Sequence, residues 1–435
     1  MERLIVKKLK VWKNKSERKP LLLKGARQVG KTWIMKEFGK NEYRKTAYVN
    51  FESSKALQSL FKDDYNIDRI ITALQIETET QIVAEDTLIL LDEIQEAEGG
   101  ITALKYFYEN APQYHVIAAG SLLGVALQKN TSFPVGKVDF LDLHPMSFIE
   151  FLKAAGQQSL VDLLQRRDWQ LLKIFRTKYI ELLRQYYFVG GMPEAVYSFC
   201  TKNDFQEVRE IQKSILSSFE LDFSKHAPTE IVPRIRLLWN SIPSQLAKEN
   251  KKFIYRAIRP GSRARDYELA LSWLIDCGLV HKISRVSKPG IPLKSFEDFS
   301  AFKLFIADVG LLAATGDIDA KTILNGSAIF NEFKGALTEQ YVLQQLKAET
   351  NVAIYYWSAE RSAAEIDFLI QSGSYVIPIE VKAEENLQAK SLKAFYQKHN
   401  PAKAVRTSMS DFRDDNWLLN IPLFAIGSLP ELISL

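Results

Sequence analysis

The chain has 435 residues, 57 Lys and Arg against 52 Asp and Glu, a net charge of +5 and 46% hydrophobic residues. That length argues for two or three domains, and the composition excludes a disordered, collagen-like or disulfide-stapled chain. Cys200 and Cys277 are the two cysteines and form no CxxC pair, which points away from a zinc site and toward a reduced, cytoplasmic setting. The charged N-terminus is unlike a signal peptide and no apolar run is long enough to span a bilayer, so no membrane partner is expected. Mild basicity permits nucleic-acid contact without demanding it.

In chain order, the apolar run Leu21-Leu22-Leu23 predicts a strand and Trp33 to Phe38 predicts a helix. Between them lies Gly25-Ala26-Arg27-Gln28-Val29-Gly30-Lys31-Thr32, a phosphate-binding P-loop in its strand–loop–helix setting. Gly25 and Gly30 let the backbone wrap a phosphate chain, and the helix N-terminus aims partial positive charge at it. Lys31 is placed to reach the β- and γ-phosphates and the Thr32 hydroxyl to ligate Mg²⁺. Further strands are predicted over Ala47–Phe51, Thr87–Leu91, His115–Ala119 and Val138–Leu143. Their alternation with helical patterns predicts an α/β fold, a P-loop NTPase with a doubly wound parallel sheet.

Asp92-Glu93 directly follows the continuous apolar run Thr87–Leu91, the Walker B position. Asp92 would hold Mg²⁺ and Glu93 would orient the attacking water, which favours hydrolysis over transfer to a small-molecule acceptor. Ser121 follows the next strand and is either a sensor of the γ-phosphate or a turn serine. Arg27 and Arg184 are each either nucleotide-facing or structural.

Five segments occur in order: Arg18-Lys19-Pro20, Leu90-Leu91-Asp92-Glu93-Ile94-Gln95, Gly120-Ser121, His144-Pro145-Met146-Ser147-Phe148 and Gly190-Gly191-Met192-Pro193-Glu194. Together they resemble the prokaryotic AAA-like ATPases that carry a C-terminal domain of uncharacterised function. The resemblance implies ATP as the nucleotide, an ATPase core, a winged-helix module and a C-terminal α/β domain similar to PD-(D/E)xK nucleases. The corresponding domains are 1–204, 205–325 and 326–435. One departure is Gly136-Lys137, where an arginine is expected; lysine keeps the charge without the bidentate fork.

In the middle of the chain, helices are predicted over Phe205–Leu221, Ile231–Ile242, Pro243–Glu249 and Arg263–Cys277, ending at Gly278, followed by strands Val280–Val286 and Phe302–Ala307. Helix, helix, helix, hairpin is the winged-helix order. Lys248, Lys251, Lys252, Arg256, Arg259, Arg263 and Arg265 form a basic cluster, which either binds nucleic-acid phosphates or is a solvated loop.

In the C-terminal third, Phe333–Leu346 reads as a helix carrying Glu339, Ile366–Ile370 and Tyr375–Lys382 as a hairpin, Leu392–His399 as a helix and Ala404–Thr407 as a strand. Alternation puts Glu380 and Lys382 on one face, where Asp367 can meet them. Phosphodiester hydrolysis needs such a set: Asp367, Glu380 and Glu339 to bind Mg²⁺ or Mn²⁺, and Lys382 to stabilise developing charge. The plainer alternative is an ordinary amphipathic strand pair; another is a nucleotide-dependent protein-interaction switch whose nuclease-like fold is catalytically silent and serves contacts only. Pro378 predicts an edge or bulged strand. The expected partners are therefore a nucleotide, DNA or a protein, and a second copy of the chain.

Overall fold

The computed structural model describes all residues except 122, 124–134, 249–250, 326–330, 360–363, 386–388 and 434–435. The chain divides into two compact units, one of Glu2–His144 with Asp276–Leu279 and one of Pro145–Ile275 with Val280–Leu435 and Met1.

The first unit is built on five strands, β1 (Leu21–Lys24), β2 (Lys45–Asn50), β3 (Thr87–Asp92), β4 (His115–Ala119) and β5 (Asp139–Asp142). Their order is β2-β3-β4-β1-β5, and every neighbouring pair is parallel. Strand β3 is buried along its whole length, which explains why its sequence is a continuous apolar run with no alternation. The helix Ile67–Thr78 starts where the Asn66 side chain accepts from the Arg69 N–H, and it buries Ile67, Ile70, Ile71 and Leu74. That spacing is one helical face, and it packs with Val49, Ile89, Leu91, Leu104 and Phe107 into one core. Strand β4 lies between β1 and β3, so the residues after it are carried to the end of the sheet where the P-loop and Asp92 sit.

The second unit is helices followed by a mixed sheet of eight strands. These are β6 (Val280–Val286), β7 (Glu297–Ile306), β8 (Ile354–Ser358), β9 (Glu365–Ser372), β10 (Tyr375–Val381), β11 (Ala404–Ser408), β12 (Arg413–Asp415) and β13 (Leu418–Pro422). Their order is β12-β13-β11-β10-β9-β8-β6-β7.

Two expectations are corrected here. Val232–Leu246 is a single helix with Pro243 inside it, where the sequence suggests a break at that proline (Glu249, the expected end of the next helix, lies outside the described residues). Burial decides: Trp239, Ile242 and Leu246 are all buried, and Trp239 meets Phe219 and Phe223 edge-on at 6.3 and 6.0 Å between ring centroids. That packing outweighs the lost backbone hydrogen bond. Likewise Pro378 is on an interior strand, paired with Leu369 without a bulge. The ladder to β11 begins only at Ile379, so one side of the strand has no backbone partner at the proline and its missing N–H costs nothing there.

Among the described residues, three α-helices, Phe205–His226, Val232–Leu246 and Ala264–Asp276, precede the β6–β7 hairpin where the sequence predicts four. The hairpin is not free-standing, because β6 pairs with β8 and is thereby part of the C-terminal sheet. The helix Asn331–Glu349 carries buried Thr338, Glu339, Gln340, Gln344 and Gln345. Gln340 and Gln344 accept backbone N–H groups of Ile306 and Val309 at 3.1 and 2.8 Å, which is how a helix buried on most sides can carry polar residues.

Two of the sequence segments interlock in this unit. Ser147 and Glu150 form a capping box that starts the helix Phe148–Ala154. The Met146 N–H donates to the Gly191 carbonyl at 2.7 Å, and a Cβ on Gly191 would come within 2.2 Å of the Met146 carbonyl oxygen. Asp308 Oδ2 accepts from the Gly191 N–H at 2.6 Å and Gln344 Nε2 at 2.9 Å, and Oδ1 accepts from the Leu311 N–H at 3.0 Å. Burial raises the Asp308 pKa, opposed by these donors.

Candidate functional site

The loop after β1 is shaped by backbone freedom and by pinning. Gly25 has φ +150°, and a Cβ there would lie 2.3 Å from the Leu143 carbonyl oxygen, so only glycine fits. Gly30 precedes the helix Lys31–Glu42 with φ +93°. Ala26 and Val29 are buried, and the Arg3 guanidinium donates to the Val29 and His144 carbonyls at 3.0 and 2.6 Å. Gln28 is exposed and Arg27 half-buried.

Lys31 is buried, and its ammonium donates to the loop's own carbonyls of Gly25 and Ala26 at 2.9 and 2.8 Å. Burial lowers its pKa to about 8, opposed by Glu93 and Asp92. The Thr32 hydroxyl donates to Asp92 Oδ2 at 2.6 Å, and the Tyr48 hydroxyl donates to the same oxygen at 3.1 Å. Burial raises the pKa of Asp92, opposed by the Thr32 hydrogen bond. Glu93 stands in the left-handed region, φ +49°. Its carboxylate accepts from Gln95 Nε2 at 2.6 Å and from the Ser121 N–H and hydroxyl, each at 3.0 Å.

The structure therefore joins Lys31, Thr32, Asp92, Glu93 and Ser121 at one end of the sheet. The donor set fits a magnesium nucleotide: a glycine cradle that a side chain would fill, an ammonium, a hydroxyl and two carboxylates. Tyr48 and Gln95 are additions to the site. Tyr48 alternates along β2 like any strand residue, and Gln95 stands in a 3₁₀ turn, Ile94–Glu96, so neither carries a distinctive signal. Two further candidate cations have partners within the chain. Arg184 donates to the Leu324 carbonyl at 3.2 Å, and Lys137 pairs with Glu109 at 2.9 Å.

Comparison with known proteins gives the following similarities. Residues 17–152 match the family model of an AAA domain. This similarity covers the segment that holds the P-loop and Asp92-Glu93. Residues 180–322 match a domain of unknown function, DUF8612, and residues 334–424 match another, DUF4143. No curated protein matches the sequence. Among solved structures, a Walker-type ATPase of Pyrococcus abyssi is 16% identical, with 72% of this chain and 94% of that chain covered and a TM-score of 0.43. The ORC2 protein of Aeropyrum pernix is 14% identical, with 75% and 95% covered and a TM-score of 0.34. RuvB of Thermotoga maritima is 12% identical, with 64% and 88% covered and a TM-score of 0.28. No helix among the described residues is long and apolar enough to cross a membrane.

In the second unit, the register of β9 and β10, with Ile379 opposite Phe368, sets Glu380 opposite Asp367. Lys382 pairs with Glu380 Oε1 at 2.7 Å, and Asp367 Oδ2 accepts the Val381 N–H at 2.8 Å. Glu339 faces this group from the helix, where its pKa is held low, to about 2: burial works against this, and the Lys251 and Lys303 charges prevail. Asp367 is pushed up by burial and by the Glu339 charge.

Two residues here, Lys303 and Glu365, escape the sequence reading, and a third, Lys251, is assigned by it to another role. Lys303 on β7 is wholly buried, with its ammonium 2.5 Å from Glu365 Oε1, 3.5 Å from Glu339 Oε2 and 4.0 Å from Asp367 Oδ1. Lys251 pairs with Glu339 Oε1, its head largely buried, and so leaves the basic cluster in which the sequence counts it. The signals were a lysine inside the apolar run Ala301–Ile306 and an acid, Glu365, two positions before Asp367 on one strand face.

The expected divalent metal does not fit Glu339, Asp367 and Glu380 as they stand. Glu339 and Asp367 face ammonium groups and a backbone N–H, and among the described residues no group of three or more His, Cys, Asp and Glu is arranged to hold a metal ion. Glu380 Oε2 is buried with no hydrogen-bond partner among the described residues.

Proposed function

We propose that the N-terminal unit binds and hydrolyses ATP. The observation that carries this is the run of contacts from Thr32 through Asp92 to Glu93 and Ser121, beside an N-terminal helix end that begins with Lys31. Gly25, Ala26, Arg27, Gln28, Val29 and Gly30 would offer backbone N–H groups to the phosphates, and Lys31 would turn its ammonium from the loop carbonyls to the β- and γ-phosphates. Thr32 and Asp92 would hold Mg²⁺, which when bound offsets phosphate charge and polarises the phosphoryl oxygens. Glu93 would orient the attacking water and accept its proton, with Ser121 fixing the carboxylate. Steady-state turnover tests this: Lys31→Ala should abolish nucleotide binding, and Glu93→Gln should bind ATP without hydrolysing it. Unchanged turnover in both variants would sink the reading.

The second unit is read as the module that engages a partner, with nucleic acid the favoured class. Arg256, Arg259, Arg263 and Arg265 are exposed around the start of the helix Ala264–Asp276, a stretch suited to phosphate contacts. DNA binding followed against salt tests this. Each lost phosphate contact in an Arg→Ala variant should reduce the log–log slope by about 0.9, and a salt-independent interaction would exclude it. For Asp367, Glu380 and Lys382, the lysine-paired carboxylates favour recognition over cleavage. DNA cut in Mg²⁺ or Mn²⁺ by the wild type and not by Lys382→Ala would reverse that.

A further inference from the structure

The sequence places a divalent cation among the C-terminal carboxylates, and the structure places a lysine there. Glu365 and Asp367 come from β9, Glu339 from the helix Asn331–Glu349, and all three surround the Lys303 ammonium at 2.5, 4.0 and 3.5 Å. The Tyr356 ring covers a further side, with its centroid 5.0 Å from the ammonium. Lys303 has no exposed surface and Glu339 is 5% exposed.

Neither half of this cluster is stable alone. An unpaired buried ammonium is expelled or neutralised, and three closely spaced carboxylates, Glu339 buried and Glu365 and Asp367 half-buried, repel one another unless a cation lies between them. Lys303, with Lys251 on the far oxygen of Glu339, supplies that charge from within the chain. A divalent ion drawn onto the same oxygens would share them with an ammonium a few ångströms away, where like charges in low dielectric repel strongly.

We infer that Lys303 is the resident cation of this cluster: its ammonium takes the place of a divalent metal and holds the acidic centre of the C-terminal unit together without one. The inference rests on this cluster alone and is independent of nucleotide turnover. It implies a latent metal site, with oxygen ligands suited to Mg²⁺ or Mn²⁺, that opens when the lysine is removed.

The test is thermal unfolding of the full chain without nucleotide, with and without Mn²⁺. The proteins are the wild type, Asp367→Asn, Lys303→Met and Lys303→Met/Asp367→Asn. The wild type and Asp367→Asn should respond to Mn²⁺ equally. Lys303→Met should unfold at lower temperature and recover by about 3 °C or more in saturating Mn²⁺, a response that the double variant loses. A Mn²⁺ shift in the wild type that disappears in Asp367→Asn would overturn the inference, as would a folded Lys303→Met with no Mn²⁺ response. If Lys303→Met does not fold, the double variant, which removes one of the three acidic groups together with the ammonium, decides. Its recovery supports the resident-cation role, and its failure shows that the lysine stem matters and its charge does not. A wild type that cuts DNA would sink the recognition reading, whereas these outcomes address the lysine itself.

Discussion

The Glu93 carboxylate is held by Ser121 through two hydrogen bonds, from its backbone N–H and its hydroxyl, both at 3.0 Å, across the gap between the ends of β3 and β4. The strand order that sets β4 beside β3 makes this contact, and it gives Ser121 a positioning role toward Glu93. Ser121→Ala removes one of the two donors and should lower kcat about tenfold with little change in KM, the pattern of an interaction felt mainly in the transition state. Glu93→Gln should cost about a hundredfold or more. Steady-state kinetics on both variants, with nucleotide binding followed separately, check this. A Ser121→Ala enzyme with wild-type kcat would remove the role.

The lowered pKa of Lys31, about 8 against an ordinary 10.5, would make the proposed nucleotide affinity pH-dependent. Below pH 8 the side chain is charged and attracts phosphate; above it, burial favours the neutral amine. Affinity should be flat up to about pH 8 and then fall by up to about tenfold per pH unit, with proton uptake on binding. Titration calorimetry in buffers of different ionisation enthalpy measures both. For stability the sign is opposite: between pH 8 and 10.5 the unfolded chain holds more protons at this residue, so its contribution rises with pH.

Asp308 satisfies the N–H groups of Gly191 and Leu311 and the amide of Gln344. Asp308→Ala leaves these donors buried and unpaired, and should destabilise the second unit by about 3 kcal/mol or more. Asp308→Asn keeps an acceptor and should lose less. Denaturant unfolding separates the two, and equal losses would show that the space, not the hydrogen bonds, matters.

His115 Nδ1 lies 2.7 Å from the Tyr43 hydroxyl, and burial lowers its pKa to about 4 from 6.5. Over that interval the unfolded state binds the extra proton, so stability present above pH 6.5 is lost as pH falls toward 4. Melting temperature should drop across this window in the wild type and less in His115→Gln, and identical acid profiles would show that other groups control it.

The sequence by itself determined the N-terminal core, because its signals are local. A P-loop needs glycines, lysine and threonine at fixed spacing, and a strand buried on both faces needs an apolar run such as Thr87–Leu91, so sheet class, loop and Asp92-Glu93 could be read without coordinates. The β9–β10 hairpin was legible through its period of two. What only the tertiary structure decided was which charges meet. Lys251 and Lys303 lie 88 and 36 positions before Glu339, and no spacing rule links residues brought together by a helix packed on a mixed sheet. Pro243 and Pro378 misled for the same reason: local propensity argues for a break, and burial of Trp239 or the late start of β11 overrides it. Gly190 and Gly191 are explained in the same way: a Cβ on Gly190 would come within 2.1 Å of the buried Asp308 carboxylate and one on Gly191 within 2.2 Å of the Met146 carbonyl, both brought there from elsewhere in the chain.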